Sequence, residues 1–316
     1  MGSDVQVVVV GGPPSLPGVA WRLVEDLEAR WSRFRPDSEV SRLNDQAGRP
    51  VRVSGETLRL LELAVEGARV TGGRYDPTVL GAVIRAGYDR SFELLSERTT
   101  GTDSDLGDGY DRILVDPATS TVTLPRGVGF DPGGIGKGLA ADLVCEELGA
   151  LGASGCCVNM GGDLRVEGLP PRGESWTVDV EHPQRREPAA VLGLRGGAVA
   201  TSTRARRVWG PSAAGRRLHH LIDPSTGRPS ESGLLSATVV AARGWQAEVL
   251  AKGAFVAGLQ EGLALLRETG TAGVLIDDGG AVHRSTGLHA FTGPLIISVP
   301  EPLGVGGPAA VVRGRP

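Results

Sequence analysis

Lysine is the residue this sequence most conspicuously lacks. Only Lys137 and Lys252 occur among 316 residues, so the other 31 of its 33 basic residues are arginine. An ammonium is a compact, strongly hydrated point charge, whereas a guanidinium is planar and multidentate. A chain that meets nearly every need for a cation with arginine marks its two lysines as candidate sites of chemistry. Cysteine is scarce too, limited to Cys145, Cys156 and Cys157. Three thiols, two of them adjacent in sequence, make no disulfide framework and suit a reducing compartment. Cys157 reads as small apolar packing in a strand rather than as a nucleophile. No run approaches the roughly 18 apolar residues of a membrane-spanning helix, so no integral membrane segment is expected. The start shows no basic region leading into an apolar core and cleavage site, so the chain as it stands reads as cytoplasmic; a start placed further upstream would add a leader. A large excess of one charge is also missing: the net charge of -4 argues against nucleic acid as a partner.

What is present is an ordinary globular composition, 40% hydrophobic and 22% charged, with enough chain for a sizeable core. Apolar spacing predicts helices over residues 19–34, 56–71, 139–148, 246–258 and 262–268. Strands are predicted over 5–10, 156–160, 176–180, 236–242, 274–277 and 295–299, and a hairpin over 112–124. Residues 96–109 read as a polar surface loop. Frequent hairpins favour an α+β fold with a mixed or antiparallel sheet flanked by helices, in a single compact unit spanning 1–302. The Gly- and Pro-rich tail, 303–316, is expected to be disordered.

Four strings could carry chemistry. Phe130-Asp131-Pro132-Gly133-Gly134-Ile135-Gly136-Lys137-Gly138 joins a strand end to a helix start, where bare backbone and unpaired N–H groups suit a phosphate. Its glycine spacing fits neither the Walker A pattern nor the dinucleotide fingerprint, so tight turning alone explains it equally well. Asn159-Met160-Gly161-Gly162-Asp163 is a second glycine turn after a buried strand. His219-His220-Leu221-Ile222-Asp223-Pro224 places two of only five histidines before a carboxylate, the arrangement of a general base oriented by an acid. Strand alternation lets at most one of the two histidines face a site. Glu248 and Lys252 stand four residues apart on one helix face, which is either a surface ion pair or, given the apolar run around them, a buried pair with a purpose.

Taken in order with Gly72-Gly73-Arg74-Tyr75-Asp76-Pro77-Thr78, Phe34 with Asp37 to Asn44, and Thr201-Ser202, these strings resemble the FAD:protein FMN transferase (ApbE) family over nearly the whole chain. The resemblance implies an enzyme that moves FMN from FAD onto a Thr or Ser hydroxyl of an acceptor flavoprotein and releases AMP. An FAD-binding protein or FAD pyrophosphatase with little transferase activity is the alternative. By position, the resemblance implies that Met1, Phe34, Arg74, Tyr75, Asp76, Asp131, Lys137 and Ile222 line the FAD site. His220 is then the catalytic base, with Asp223 beside it. It also implies Mg²⁺, held by the Gly134 carbonyl and by two positions of the late helix. Those positions here are Glu248 and Lys252, and an ammonium in place of an oxygen ligand repels a cation. Lys252, held by Glu248, is therefore expected to stand partly in for the metal.

Overall fold

The computed structural model describes residues 4–88, 109–211, 217–292 and 309–315. Eight strands form its main sheet: β1 (Val5–Val10), β2 (Gly155–Met160), β3 (Asp163–Gly168), β4 (Gly197–Thr203), β5 (Leu234–Ala241), β6 (Ala272–Asp277), β7 (Val282–Arg284) and β8 (Ala309–Gly314). Their order across the sheet is β7-β6-β5-β4-β3-β2-β1-β8, and every pairing is antiparallel. The helices are α1 (Leu16–Trp31), α2 (Glu39–Asp45), α3 (Gly55–Val70), α4 (Leu80–Arg85), α5 (Gly136–Ala150), α6 (Gly244–Ala257) and α7 (Leu259–Glu268). The α+β expectation holds.

Period-two alternation splits each strand between two layers. Val5, Val7 and Val9 of β1 pack with α1 and α5, together with Cys156, Val158 and Met160 of β2. Ala237 and Val239 of β5 face α6. Val10, Val199, Val240, Val274 and Ile276 point the other way, onto a hairpin formed by Trp176–Val180 and Ala190–Leu194. The sheet is thus covered by helices on one face and by this hairpin on the other.

The expected disordered tail is contradicted over Ala309–Gly314, which forms β8 and pairs antiparallel with all of β1. Its adjacent Val311 and Val312 supply the β-propensity that the preceding glycines and prolines obscured. The expected strand at 295–299 lies outside the described residues, as does most of the 96–109 loop.

Thiol pairing also differs from the sequence picture. Buried Cys145 on α5 and Cys156 on β2 meet with sulfurs 3.1 Å apart. Half-buried Cys157 faces the hairpin layer, its thiol pushed up to about 12 by burial and by Cys156. That leaves it protonated packing rather than a ready nucleophile.

Candidate active site

Two helix starts create the site. Gly138 of α5 and Gly244 of α6 meet backbone to backbone: a Cβ on Gly138 would lie 2.2 Å from the Gly244 carbonyl oxygen. That contact admits only glycine. Each helix then caps the other. Asp142 of α5 accepts hydrogen bonds from the N–H groups of Gly244 (2.8 Å) and Trp245 (3.0 Å) at the start of α6. Glu248 of α6 accepts one from the Gly138 N–H, 2.7 Å away, at the start of α5. Carboxylates at helix N-termini satisfy orphan donors and complement the macrodipole. Asp142 is fully buried and also pairs with Arg165 at 3.1 Å. The crossing fixes Lys137, one residue before Gly138, against Lys252, one turn after Glu248.

The ion pairs run differently from expectation. Glu248 Oε1 lies 3.3 Å from Lys137 Nζ, and Lys137 also pairs with Asp163 at the start of β3. Asp163 is itself held by the Thr201 N–H at 3.0 Å. Lys252 instead donates to the Gly133 carbonyl oxygen at 3.3 Å and lies 6.0 Å from the Tyr75 ring centroid. Among the described residues, no ion pair joins Lys252 to Glu248. Burial pushes both ammonium groups down from the ordinary lysine value; Glu248 foremost opposes this at Lys137, and Asp131 foremost at Lys252.

The adjacent histidines part company, as strand alternation requires. His219 is buried against Phe255, its Nε2–H donating to the Ser230 carbonyl (3.2 Å) and its Nδ1 accepting from the Leu221 N–H (3.3 Å). Burial lowers its pKa to about 4, so it is a neutral structural imidazole. His220 turns into the cleft, and its Nδ1 is enclosed with no hydrogen-bond partner. Burial first, then the Arg207 and Lys252 charges, hold it well below the usual histidine value. It therefore presents a neutral imidazole to the cleft.

Asp223 does not orient that ring. Its Oδ1 accepts from the Ser225 N–H (2.9 Å) and hydroxyl (2.7 Å), closing the turn between the short strands Ile222–Asp223 and Arg228–Pro229. The carboxylate is committed to closing this turn, and the following Pro224 makes Asp223 a turn residue.

Two lobes meet at Gly133, Lys137, Arg207, His220 and Lys252. The charged lobe, about 610 Å³, extends past Gly134, Asp163, Thr201 and Glu248. The apolar lobe, about 660 Å³, is walled by Trp31, Phe34, Val83 and Tyr88 and bounded by Asp131. Arg33 lies 4.1 Å from the Phe34 ring centroid and 4.7 Å from that of Tyr88, donates to the Tyr88 carbonyl (2.8 Å) and pairs with Asp131 at 3.5 Å. Asn44 braces the strand end beside it, exchanging hydrogen bonds of 2.7 and 3.0 Å with the Phe130 backbone.

The structure gathers Phe34, Asp131, Gly134, Lys137, His220, Glu248 and Lys252 around this cleft. It does not bring Arg74 there: that side chain, in the turn after α3, forms an ion pair with Glu261 of α7. Tyr75 is buried behind the glycine loop, Asp76 accepts from the Thr78 N–H and hydroxyl, and Ile222 packs behind the apolar lobe near Trp209. These three support the walls without facing the space. Met1 lies outside the described residues. Asp163, Arg33, Tyr88 and Arg207 were missed as site residues. Asp163 closes a motif already noted, and Arg33 is next to Phe34. Arg207 carried no signal beyond its arginine-rich segment, although its φ of 51° is rare outside glycine.

The residues at the implied Mg²⁺ position do not make a site for that ion. Glu248 is committed to a backbone N–H and an ammonium, and the Lys252 ammonium stands at the Gly133 carbonyl of the glycine loop. Among the described residues no three His, Cys, Asp or Glu side chains converge as a metal cluster. A hard divalent cation needs a shell of free oxygens.

A family model described as the ApbE family matches residues 1–276. An FAD:protein FMN transferase of Haemophilus influenzae is 32% identical over 283 residues, covering 84% of this chain and 79% of that protein. A Vibrio cholerae protein of the same name is 29% identical, covering 85% and 82%. The crystal structure of an ApbE protein from Thermotoga maritima superposes with a TM-score of 0.81 at 27% identity, covering 93% of this chain and 97% of that one. Flavin transferase ApbE from Vibrio cholerae gives 0.78 at 26%, covering 92% and 96%.

Proposed function

Since the chain belongs to the ApbE family, we propose that it is an FAD:protein FMN transferase whose chemistry runs at the junction of the two lobes. The observation that carries this reading is the neutral His220 imidazole, lining the cleft beside two ammonium groups. A hydroxyl attacking a pyrophosphate needs a proton acceptor and positive charge on the phosphates. In the step, the hydroxyl oxygen of an acceptor Thr or Ser bonds to the FMN-side phosphorus. The hydroxyl proton passes to the neutral imidazole of His220. The bond from that phosphorus to the bridging oxygen breaks, and the oxygen leaves with its electron pair as part of AMP.

The chain's residues divide the work. Lys137, set between Asp163 and Glu248, brings a fixed charge to the pyrophosphate, and the N-terminus of α5 points the same way. Bound phosphate offsets the cationic field that depresses His220, so the ring becomes a better base once substrate is in place. The Phe34–Arg33–Tyr88 stack offers a flat aromatic and cationic wall to a ring system. His220 acts without a carboxylate partner from Asp223.

Incubating the purified protein with FAD and a Thr-bearing acceptor domain tests the reading. AMP should appear in step with a covalently yellow acceptor. FAD bound tightly without AMP would instead indicate a flavin-binding relative, and FMN plus AMP without acceptor a pyrophosphatase; either outcome ends the proposal.

A further inference from the structure

We propose that Lys252 is the electrophilic cation of this active site, standing where a divalent metal would otherwise sit, so that FMN transfer here requires no divalent cation. The inference deepens the transferase reading and rests on it.

The geometry at the glycine loop carries the argument. The Lys252 ammonium donates to the Gly133 carbonyl, next in the loop to the Gly134 carbonyl that the family resemblance implies as a metal ligand. A Cβ on the next residue, Gly134, would lie 2.7 Å from Lys252 Nζ and 2.9 Å from the Tyr75 ring, so the ammonium already occupies the space against the loop backbone. The oxygens of Glu248 are taken by the Gly138 N–H and by Lys137. Asp163 is taken by Lys137 and the Thr201 N–H. No carboxylate in the charged lobe is left with its oxygens free, and placing a +2 ion among Lys137, Lys252 and Arg207 would set like charges together with little compensation.

The same ammonium is well placed to do a cation's electrostatic work. It lines both lobes, beside His220 and Lys137, at the place where the phosphates must lie for His220 to take a proton. An ammonium carries three donors and needs only one for Gly133. The remaining N–H groups would meet phosphate oxygens as negative charge grows on the leaving AMP. The scarcity of lysine accords with this, because an ammonium is a compact point charge whereas a guanidinium spreads its charge over a planar fork of five donors.

The test uses the full chain purified in EDTA. AMP release with FAD and acceptor should proceed in excess EDTA within about twofold of its rate in millimolar Mg²⁺. Calorimetric titration of MgCl₂ into the FAD-loaded protein should show no stoichiometric site. Lys252→Met should lose about 100-fold or more in kcat, with or without Mg²⁺, while its melting temperature and FAD fluorescence quenching report an intact, loaded fold. Loss of the reaction in EDTA with recovery on adding Mg²⁺, a stoichiometric Mg²⁺ site, or a Lys252→Met variant of undiminished kcat would each overturn the proposal. A protein that releases no AMP under any condition defeats the transferase reading itself. In that case the MgCl₂ titration still decides whether a lysine or a metal occupies the loop.

Discussion

The two lobes of the cleft are built by opposite strategies. The charged lobe collects single residues from distant parts of the chain, namely Lys137, Asp163, His220, Glu248 and Lys252, and fixes them with reciprocal helix caps and shared carboxylates. The apolar lobe comes largely from two short stretches, residues 31–34 and 83–88, held by one arginine lying over two rings. On the proposed transferase reading, the two lobes take separate jobs. A lobe whose charges are locked before substrate arrives lowers a barrier with little reorganisation. A lobe of aromatic faces contributes binding that is alike in the ground and transition states. Mutations in the first should therefore cost turnover, and mutations in the second should cost affinity.

His220→Ala should break this division most sharply. Removing a general base costs roughly 10²–10⁴ in rate, so kcat should fall about 1,000-fold while the FAD dissociation constant stays within about threefold. An equal loss in both would place His220 among the binding residues. In the wild type, the base is active when neutral, and burial with the Arg207 and Lys252 charges lowers its pKa. The acid limb of kcat/KM should therefore lie below pH 6.5, with activity preserved where an ordinary histidine would already be protonated.

Lys137→Met should follow, with kcat down about 100-fold and folding stability down by about 3 kcal/mol, because buried Asp163 and Glu248 lose their shared cation. Paired urea unfolding and AMP-release assays separate the two effects. Loss of turnover at unchanged stability would show that the carboxylates find other partners.

His219 offers a control one residue from the base. Its folded pKa of about 4 lies below the unfolded value near 6.5. The unfolded chain thus binds the extra proton first as pH falls, so the contribution is intact above pH 6.5 and lost on descent toward pH 4. The full difference is about 3 kcal/mol. His219→Gln should flatten the pH dependence of unfolding across that window and leave kcat within about threefold. A matching fall in kcat would mean that the two imidazoles act as one unit.

These contrasts follow what could be read in the sequence. The glycine loop and Lys137 were legible because the backbone there admits few alternatives and lysine is so rare. The α+β class followed from hairpin frequency, and helix positions from apolar spacing, with ends shifted by a few residues; Ser38 and Ser54 cap α2 and α3 by accepting from the Ser41 and Thr57 N–H groups. Long-range pairings were not legible. Nothing local announces that Asp142 caps a helix 102 residues away, or that Cys145 meets Cys156. The partner of Glu248 was misjudged because i,i+4 spacing ranks helical neighbours first, while the true partner arrives from the crossing helix.

Phe34→Ala tests the apolar lobe. Losing one face of the Arg33 sandwich removes about 1–1.5 kcal/mol of stacking and cation–π contact. FAD affinity should weaken about tenfold while kcat at saturation holds, as fluorescence quenching and saturated AMP release would show. A fall in kcat instead would mean that the aromatic wall aligns the phosphates.

The smallest effect is expected at Asp223, where sequence logic and geometry disagree most. A carboxylate three residues after a histidine reads as its orienting partner, and removing such a partner costs orders of magnitude in related constellations. Here both hydrogen bonds of the carboxylate go to Ser225, so Asp223→Ala removes a turn rather than a relay. Stability should drop by about 1 kcal/mol, and kcat should stay within about twofold. Asp223→Asn, which keeps an acceptor oxygen for the turn, should recover most of the stability. If Asp223→Ala instead lowered kcat by 100-fold with its fold intact, the turn would have to reorganise when FAD binds and bring the carboxylate to His220. The charged lobe would then be assembled by its substrate, and the contrast with the apolar lobe would lose its basis in preorganisation.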